Sequence, residues 1–504
     1  VRTTAVTTVT ALALVFVASV MLGACIREPQ APLAPGTGGR AVADGGMDAP
    51  GGTGGADSGA GSGGRAVTGS GGAATGGAGG GGGGVSGSGG SGGAGAADGG
   101  MDAPSGTGGT IDAGPTRGPT PGRPGLNFPF PQNRESSRCI YPRGYLNEHV
   151  TAAYNKWKAD TVTSDGARGH LRVKRLPSDP TDAVELGSTV SEGIAYGMMI
   201  AVYMGDQALF DSLWKYARVF PNPRTGLMSW YIKADGSGPG TNGVGAATDA
   251  DEDMALALLM AEEQWGGQGT QEKPYRDLAR EQIQRIWMHE VLDGKLIKPG
   301  DEWRTGWETV NISYFAPSYY RLFAKVDGNT AGWDAVITTV YDTIENSLNA
   351  ANGNETNGLV PAWCTSEGMP RAGFAGAPTH YQYDSCRTPF RIGLDWCWFG
   401  EMRARDYVTK TSNFFSGIGV ANIVDGYDLN GMRRPWRMGE RSAVFIGPAG
   451  VGAMSSATYQ TFVNDAYAAV ATGTLLAGGA YYELSWTVIS LLMMTGNFLD
   501  LTAY

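Results

Sequence analysis

Residues 247–267 read ATDADEDMALALLMAEEQWGG. Four acids, Asp249, Asp251, Glu252 and Asp253, stand directly against an almost unbroken apolar run. A helix that is apolar on nearly every side has no face for water and must be buried. Acids in its first turn offset the positive end of the macrodipole, so the acidic burst marks where the helix starts, with Asp249 just ahead of it. The next periodic segment, Pro274 to His289, differs. It places Tyr275, Leu278, Ala279, Ile283, Ile286 and Trp287 on one stripe and Arg276, Arg280, Glu281 and Arg285 elsewhere, the pattern of an outer helix.

The alternation of inner and outer helices extends in both directions. A helix around Val150 to Trp157 is followed by Glu192 to Met204 with Gln207 to Arg218, then by Tyr314 to Phe323 with Trp333 to Leu348. Pro389 to Gly400 pairs with Ser412 to Val424, and the chain finishes with Ser442 to Met454, Tyr459 to Ala471 and Tyr482 to Met494. About twelve helices alternating in this way predict an all-α double ring, although a plain helical solenoid gives a similar pattern.

The first part of the chain is of another kind. It holds half of the 80 glycines in a quarter of the chain, without the three-residue period of collagen, and cannot bury enough apolar surface to offset the entropy of ordering it. GGMDAP occurs at residues 45–50 and again at 99–104, which reads as a repeated spacer. Residues 26–125 are therefore expected to be a disordered linker ahead of a folded domain over residues 126–504. Before the linker, Arg2, the apolar stretch ALALVFVASVML and then LGAC at Leu22 to Cys25 describe an export signal too short to span a membrane as a stable helix. The alternative is an ordinary signal peptide with Cys25 incidental.

Beyond Cys25 there are Cys139, Cys364, Cys386 and Cys397. In an exported chain one or two disulfides are expected, with the pairing open among three arrangements. No C-x-x-C spacing occurs and the four histidines, His149, His170, His289 and His380, are scattered, which argues against a zinc site. A net charge of −10 without a basic run argues against nucleic acid and is compatible with a neutral substrate.

Several residues at helix starts and in loops exceed what packing needs. Glu192 is the only acid in its helix before Asp206, and is followed by Gly193, Tyr196 and Gly197, which leave room for a ligand; Ser191 and Glu192 as mere helix caps are the bland alternative. Trp230, in GLMSWYIKADG, offers a platform for a sugar ring or else fills a core. Asp384 lies three residues before Arg387, a spacing expected to hold the acid ionised as a general base needs, or to form a structural pair. Asp395 is read as a buried partner of Arg391.

Taken together, SEGIAYGMMIAV (191–202), ATDADEDMALALLMA (247–261), NISYFAPSYYRLF (311–323) and YDSCRTPFRIGLDWCWFG (383–400) resemble the successive motifs of glycoside hydrolase family 8, from FPFPQN at residue 128 to the C-terminus. The resemblance implies an (α/α)6 barrel and an inverting glycosidase without metal or cofactor. It implies Glu192 as general acid, Asp384 as general base and Asp249 as the residue that holds and distorts the sugar. It also implies that Arg387 and Tyr314 support the base and its water, and that Trp230 stacks on the substrate, with Tyr196 beside them. LGAC likewise resembles a lipoprotein lipobox, which implies lipidation of Cys25.

The D-A-D wording at Asp249 is more like the cellulase members than the xylan-active ones, and Asp384 in place disfavours the branch whose base comes from elsewhere. The expected activity is endo-cleavage of β-1,4-glucan by a monomer, with xylan or xylo-oligosaccharides as the runner-up. A non-catalytic glycan-binding lipoprotein is a further alternative, but a binder has no need of both Glu192 and Asp384.

Overall fold

The computed structural model describes residues 125–177, 185–302, 309–373, 377–434, 441–472 and 480–504. The signal, the lipobox at Cys25 and all but the last residue of the linker lie outside them. The described residues form twelve α-helices. These are α1 (Asn147–Thr161), α2 (Ser191–Met204), α3 (Gln207–Ala217), α4 (Thr248–Trp265), α5 (Tyr275–Glu290) and α6 (Pro317–Asp327), then α7 (Thr330–Ser347), α8 (Thr388–Phe399), α9 (Met402–Ile418), α10 (Ala443–Ala453), α11 (Gln460–Ala471) and α12 (Tyr481–Met494).

The even-numbered helices form an inner ring. α2 packs on α4 and α12, α10 packs on α12 and α8, and α8 packs on α6. Tyr320 of α6 closes the ring towards α4 by donating its hydroxyl to Glu252 at 2.7 Å. Each outer helix covers a seam, with α3 on α2, α5 on α4, α7 on α6, α9 on α8 and α10, α11 on α10, and α1 on α12. Burial follows the sequence pattern. Nearly every residue of α2, α4, α10 and α12 is buried, whereas α5 buries only Tyr275, Ala279, Gln282, Ile283, Ile286 and Glu290 along one side. This is the expected (α/α)6 barrel.

Two features depart from the sequence reading. α9 begins at Met402 rather than Ser412, because Glu401 caps it by accepting from the Arg403 amide at 3.1 Å while Ala404, Tyr407 and Val408 already face inward. The charged residues between them mask that stripe. The acids of α4 also do more than offset a dipole. Asp251, Glu252 and Asp253 are buried and reach Gln282 of α5, Tyr320 of α6 and Arg391 of α8. Arg391 is therefore not the partner of Asp395, which is held instead by Arg321 at 2.8 Å and by the Tyr341 hydroxyl at 2.6 Å. A partner from a neighbouring helix wins because Asp395 faces the seam between α6, α7 and α8.

All inner helices run the same way, so their C-terminal ends share one face, the foot of the barrel. The segment ahead of α1 runs across it. The Leu126 amide donates to Glu263 O and the Gln132 side chain to Tyr203 O, near the ends of α4 and α2. The Arg134 amide reaches Gly496 O after α12, and the Ile140 amide reaches Met454 O after α10. The pairing left open by the sequence is settled here, since Cys139 of this segment is bonded to Cys397 of α8, while Cys364 and Cys386 are buried free thiols.

This bond closes a loop of 258 residues. Replacing both Cys139 and Cys397 by Ser is expected to lower unfolding stability by about 2–4 kcal/mol, read as a lower urea midpoint, with a steeper slope because the unfolded chain is no longer cross-linked.

Candidate active site

At the opposite face, the mouth, the N-terminal ends of the inner helices come together. Short antiparallel strand pairs aim the chain into them. Thr189–Val190 pairs with Tyr231–Ile232 and delivers Glu192 to the start of α2, with the Ser191 amide bonded to Trp230 O at 2.8 Å. Thr309–Val310 pairs with Cys364–Thr365, which sets Ser313 and Tyr314 before α6 and Trp363 beside them. The Tyr314 and Trp363 rings are 6.4 Å apart, edge to face. Asp384 and Arg387 precede α8, and Tyr482 lies in the first turn of α12.

Arg387 is the centre of this arrangement. Its Nη1 donates to Asp249 Oδ2 at 2.5 Å and to the Tyr196 hydroxyl at 2.8 Å, and its Nη2 donates to Ser313 Oγ at 2.8 Å. The guanidinium lies 5.2 Å from the Tyr314 ring centre and 6.0 Å from that of Tyr482, within the range of cation–π attraction. One arginine thus joins α2, α4, the turn before α6, α8 and α12. Asp249 does not stand ahead of its helix as the sequence suggested but within the first turn, completely buried. Its Oδ1 has no hydrogen-bond partner among the described residues.

The two remaining carboxyls have different surroundings. Glu192 keeps partial access to solvent. Burial of its carboxyl, and then the charge of Asp249, push its pKa up to about 8 against the opposing pull of its own backbone amide, Arg387 and Ser191. Asp384 is held at Oδ2 by Gln382 Nε2 at 3.1 Å and by a longer contact from Trp363 Nε1 at 3.4 Å. Its pKa is also raised by burial, with Arg387, Gln382 and Trp363 acting in the other direction. The expectation that Arg387 simply keeps Asp384 ionised therefore needs correcting. Arg387 makes its direct bonds to Asp249, Tyr196 and Ser313 and acts on Asp384 only through space.

The mouth brings together Glu192, Tyr196, Asp249, Tyr314, Asp384 and Arg387. Trp230 is close by in the chain but covered. It is 2% exposed, and its indole N–H donates to Asn242 O at 2.8 Å. Ser313, Trp363, Gln382 and Tyr482 were not singled out in the sequence. Ser313 and Gln382 adjoin motif residues, whereas Trp363 stands in an unpatterned loop and Tyr482 in a segment that reads as core.

A barrel of paired helices with carboxyls and aromatic side chains gathered at one end defines a carbohydrate-active hydrolase. Residues 136–496 match the model of glycosyl hydrolases family 8, and the chain belongs to that family. It is 38% identical to Endoglucanase 2 of Ruminiclostridium josui over 75% of this chain and 78% of that protein. It is 37% identical to Endoglucanase A of Acetivibrio thermocellus over 69% of each. Among solved structures it is similar to the β-1,3-1,4-glucanase of Paenibacillus sp. X4, with 29% identity and a TM-score of 0.67 over 74% of this chain and 99% of that one. A cold-adapted family 8 xylanase shares the fold at 21% identity and a TM-score of 0.58 over 73% of this chain and 98% of that one.

Because Arg387 and Asp249 are both buried, removing one leaves the other charge unpaired. Arg387→Met is expected to cost about 3–5 kcal/mol of unfolding free energy in urea titration. Arg387→Lys is expected to recover only part, since an ammonium cannot reach Asp249, Tyr196 and Ser313 at once.

Proposed function

We propose that the chain is an inverting endo-β-1,4-glucanase in which Glu192 is the general acid and Asp384 the general base. The observation that carries the reading is the pair of carboxyls with unlike surroundings at one mouth. One is held protonated near neutrality, and the other sits among hydrogen-bond donors that favour its charged form. The endoglucanase relatives support glucan as substrate.

In the proposed reaction the Glu192 carboxyl gives its proton to the glycosidic oxygen as the bond from that oxygen to the anomeric carbon breaks. Asp384 takes a proton from water, whose oxygen attacks the anomeric carbon from the opposite face, so the configuration inverts. Proton exchange with solvent resets both groups. The unpartnered Oδ1 of Asp249 is available to accept a sugar hydroxyl, while Oδ2 stays on Arg387. Tyr314 and Tyr482 supply apolar surface for the ring, and Tyr196, which is buried, backs the site through its bond to Arg387. Trp230, although covered in this conformation, stands just before the Tyr231–Ile232 strand, with its carbonyl bonded to the Ser191 amide beside Glu192, and is assigned to the same wall.

The test is release of reducing ends from carboxymethyl cellulose, mixed-linkage glucan and xylan by residues 123–504. Activity on the glucans is expected, and cleavage of xylan alone would overturn the substrate assignment. Glu192→Gln and Asp384→Asn should each lose nearly all turnover while still binding oligosaccharide, and an active mutant would remove that residue from its role. The general acid must be protonated, so kcat/KM should fall as pH rises through about 8, with the limb belonging to Glu192. The base must be ionised, so kcat/KM should fall on the acid side at a pH above the ordinary carboxylate range, as the raised Asp384 requires.

We further propose that the enzyme is exported, acts as a monomer on external polymer and is anchored by a lipid on Cys25, with no other membrane contact. The support is the apolar run ending in Leu22-Gly23-Ala24-Cys25, followed by the long Gly-rich spacer. Metabolic labelling with an alkyne fatty acid should mark the full chain and not Cys25→Ala; equal labelling of both would remove the anchor.

A further inference from the structure

Behind the Arg387–Asp249 pair lies a second pair that the proposed chemistry does not use. Asp253 stands one turn after Asp249 on α4, and Arg391 one turn after Arg387 on α8. The same four-residue step, about 6 Å of helix, therefore separates the two pairs on both sides. Arg391 Nη1 and Nη2 donate to Asp253 Oδ1 and Oδ2 at 3.0 and 2.9 Å. Both side chains are 1% exposed, and Arg391 lies 5.6 Å from the Tyr319 ring centre, as Arg387 lies over Tyr314.

The pairs differ in stiffness. Two parallel bonds fix both the position and the plane of a guanidinium. Arg387 makes a single bond to Asp249, and its other bonds go to Tyr196 and Ser313 on separate elements, so no fork to one carboxylate fixes it against α4. α4 and α8 are not neighbours in the ring, since α6 stands between them, and the two ion pairs span the barrel interior. A buried ion pair is often no more stabilising than an apolar pair of the same volume, which directs attention to what this one holds in place.

We propose that Asp253 and Arg391 are positioning residues: their rigid pair fixes α8 against α4 and so places Arg387 and Asp249 for turnover at the mouth. The inference rests on the hydrolytic reading of that mouth. Its consequence reaches Glu192, because Asp249 raises and Arg387 lowers the tendency of that carboxyl to keep its proton.

The decisive variant is the double substitution Asp253→Asn with Arg391→Met, which removes both charges and leaves the net charge unchanged. It should unfold cooperatively and keep KM within about twofold of the parent, while kcat falls roughly ten- to hundredfold. The alkaline limb of kcat/KM should move to higher pH as Arg387 withdraws from Glu192. Arg391→Lys, which keeps the charge but loses the fork, should fall between the two.

A cooperatively folded double variant with parental kcat and an unmoved limb would overturn the proposal, leaving the pair a packing feature. Should the double variant not fold, Arg391→Lys decides the matter in the same way, through kcat at constant KM. These rates are read whatever Glu192→Gln does. An active Glu192→Gln removes the acid assignment, whereas an unchanged kcat in the pair variants removes only the positioning role.

Discussion

A guanidinium and a carboxylate facing each other in a dry interior, Arg387 on Asp249, set the terms for the rest of the barrel. Neither charge has water to fall back on, so every remaining donor needs a protein partner or an aromatic face. Tyr196, Ser313, Tyr314 and Tyr482 meet most of that need from α2, the turn before α6 and α12, and Arg387 Nε is left without a hydrogen-bond partner among the described residues. The coordination of one side chain thus ties these elements together at the mouth, and the site's acids take their surroundings from it.

The parallel inner ring adds a second constraint. Helix N-termini carry partial positive charge, and here they converge on the face that holds Glu192, Asp249 and Asp384. Burial works against ionisation of Glu192 and Asp384, while the converging dipoles and the Arg387 charge work for it. Asp249 pushes both Glu192 and Asp384 up and Arg387 pulls both down, while Ser191 adds to the pull at Glu192 and Gln382 and Trp363 add to it at Asp384.

The sequence disclosed the barrel because inner and outer helices differ in how much of their circumference is apolar, a local property. α4 against α5 shows this directly. It disclosed the cluster at the mouth because those residues lie in contiguous motifs. Pairings across the barrel were not legible. Arg391 was matched with Asp395, four residues away in sequence, whereas its partner is Asp253, 138 residues away. The same limit hid the Cys139–Cys397 bond, the partners of Asp251 and Glu252, and the recruitment of Trp363 and Tyr482. Side-chain composition sets where a helix can lie; which distant helix answers a given charge is decided only once the ring has closed.

The strap that crosses the foot bears on geometry at a larger scale. Its bonds to the ends of α2, α4, α10 and α12, and its disulfide to α8, bring the chain into the domain on the face away from the cleft. A pull applied through the N-terminus is therefore spread over five helices and the disulfide before it reaches the mouth. Entry of the chain at the foot leaves the mouth, with its carboxyls, at the opposite end of the barrel.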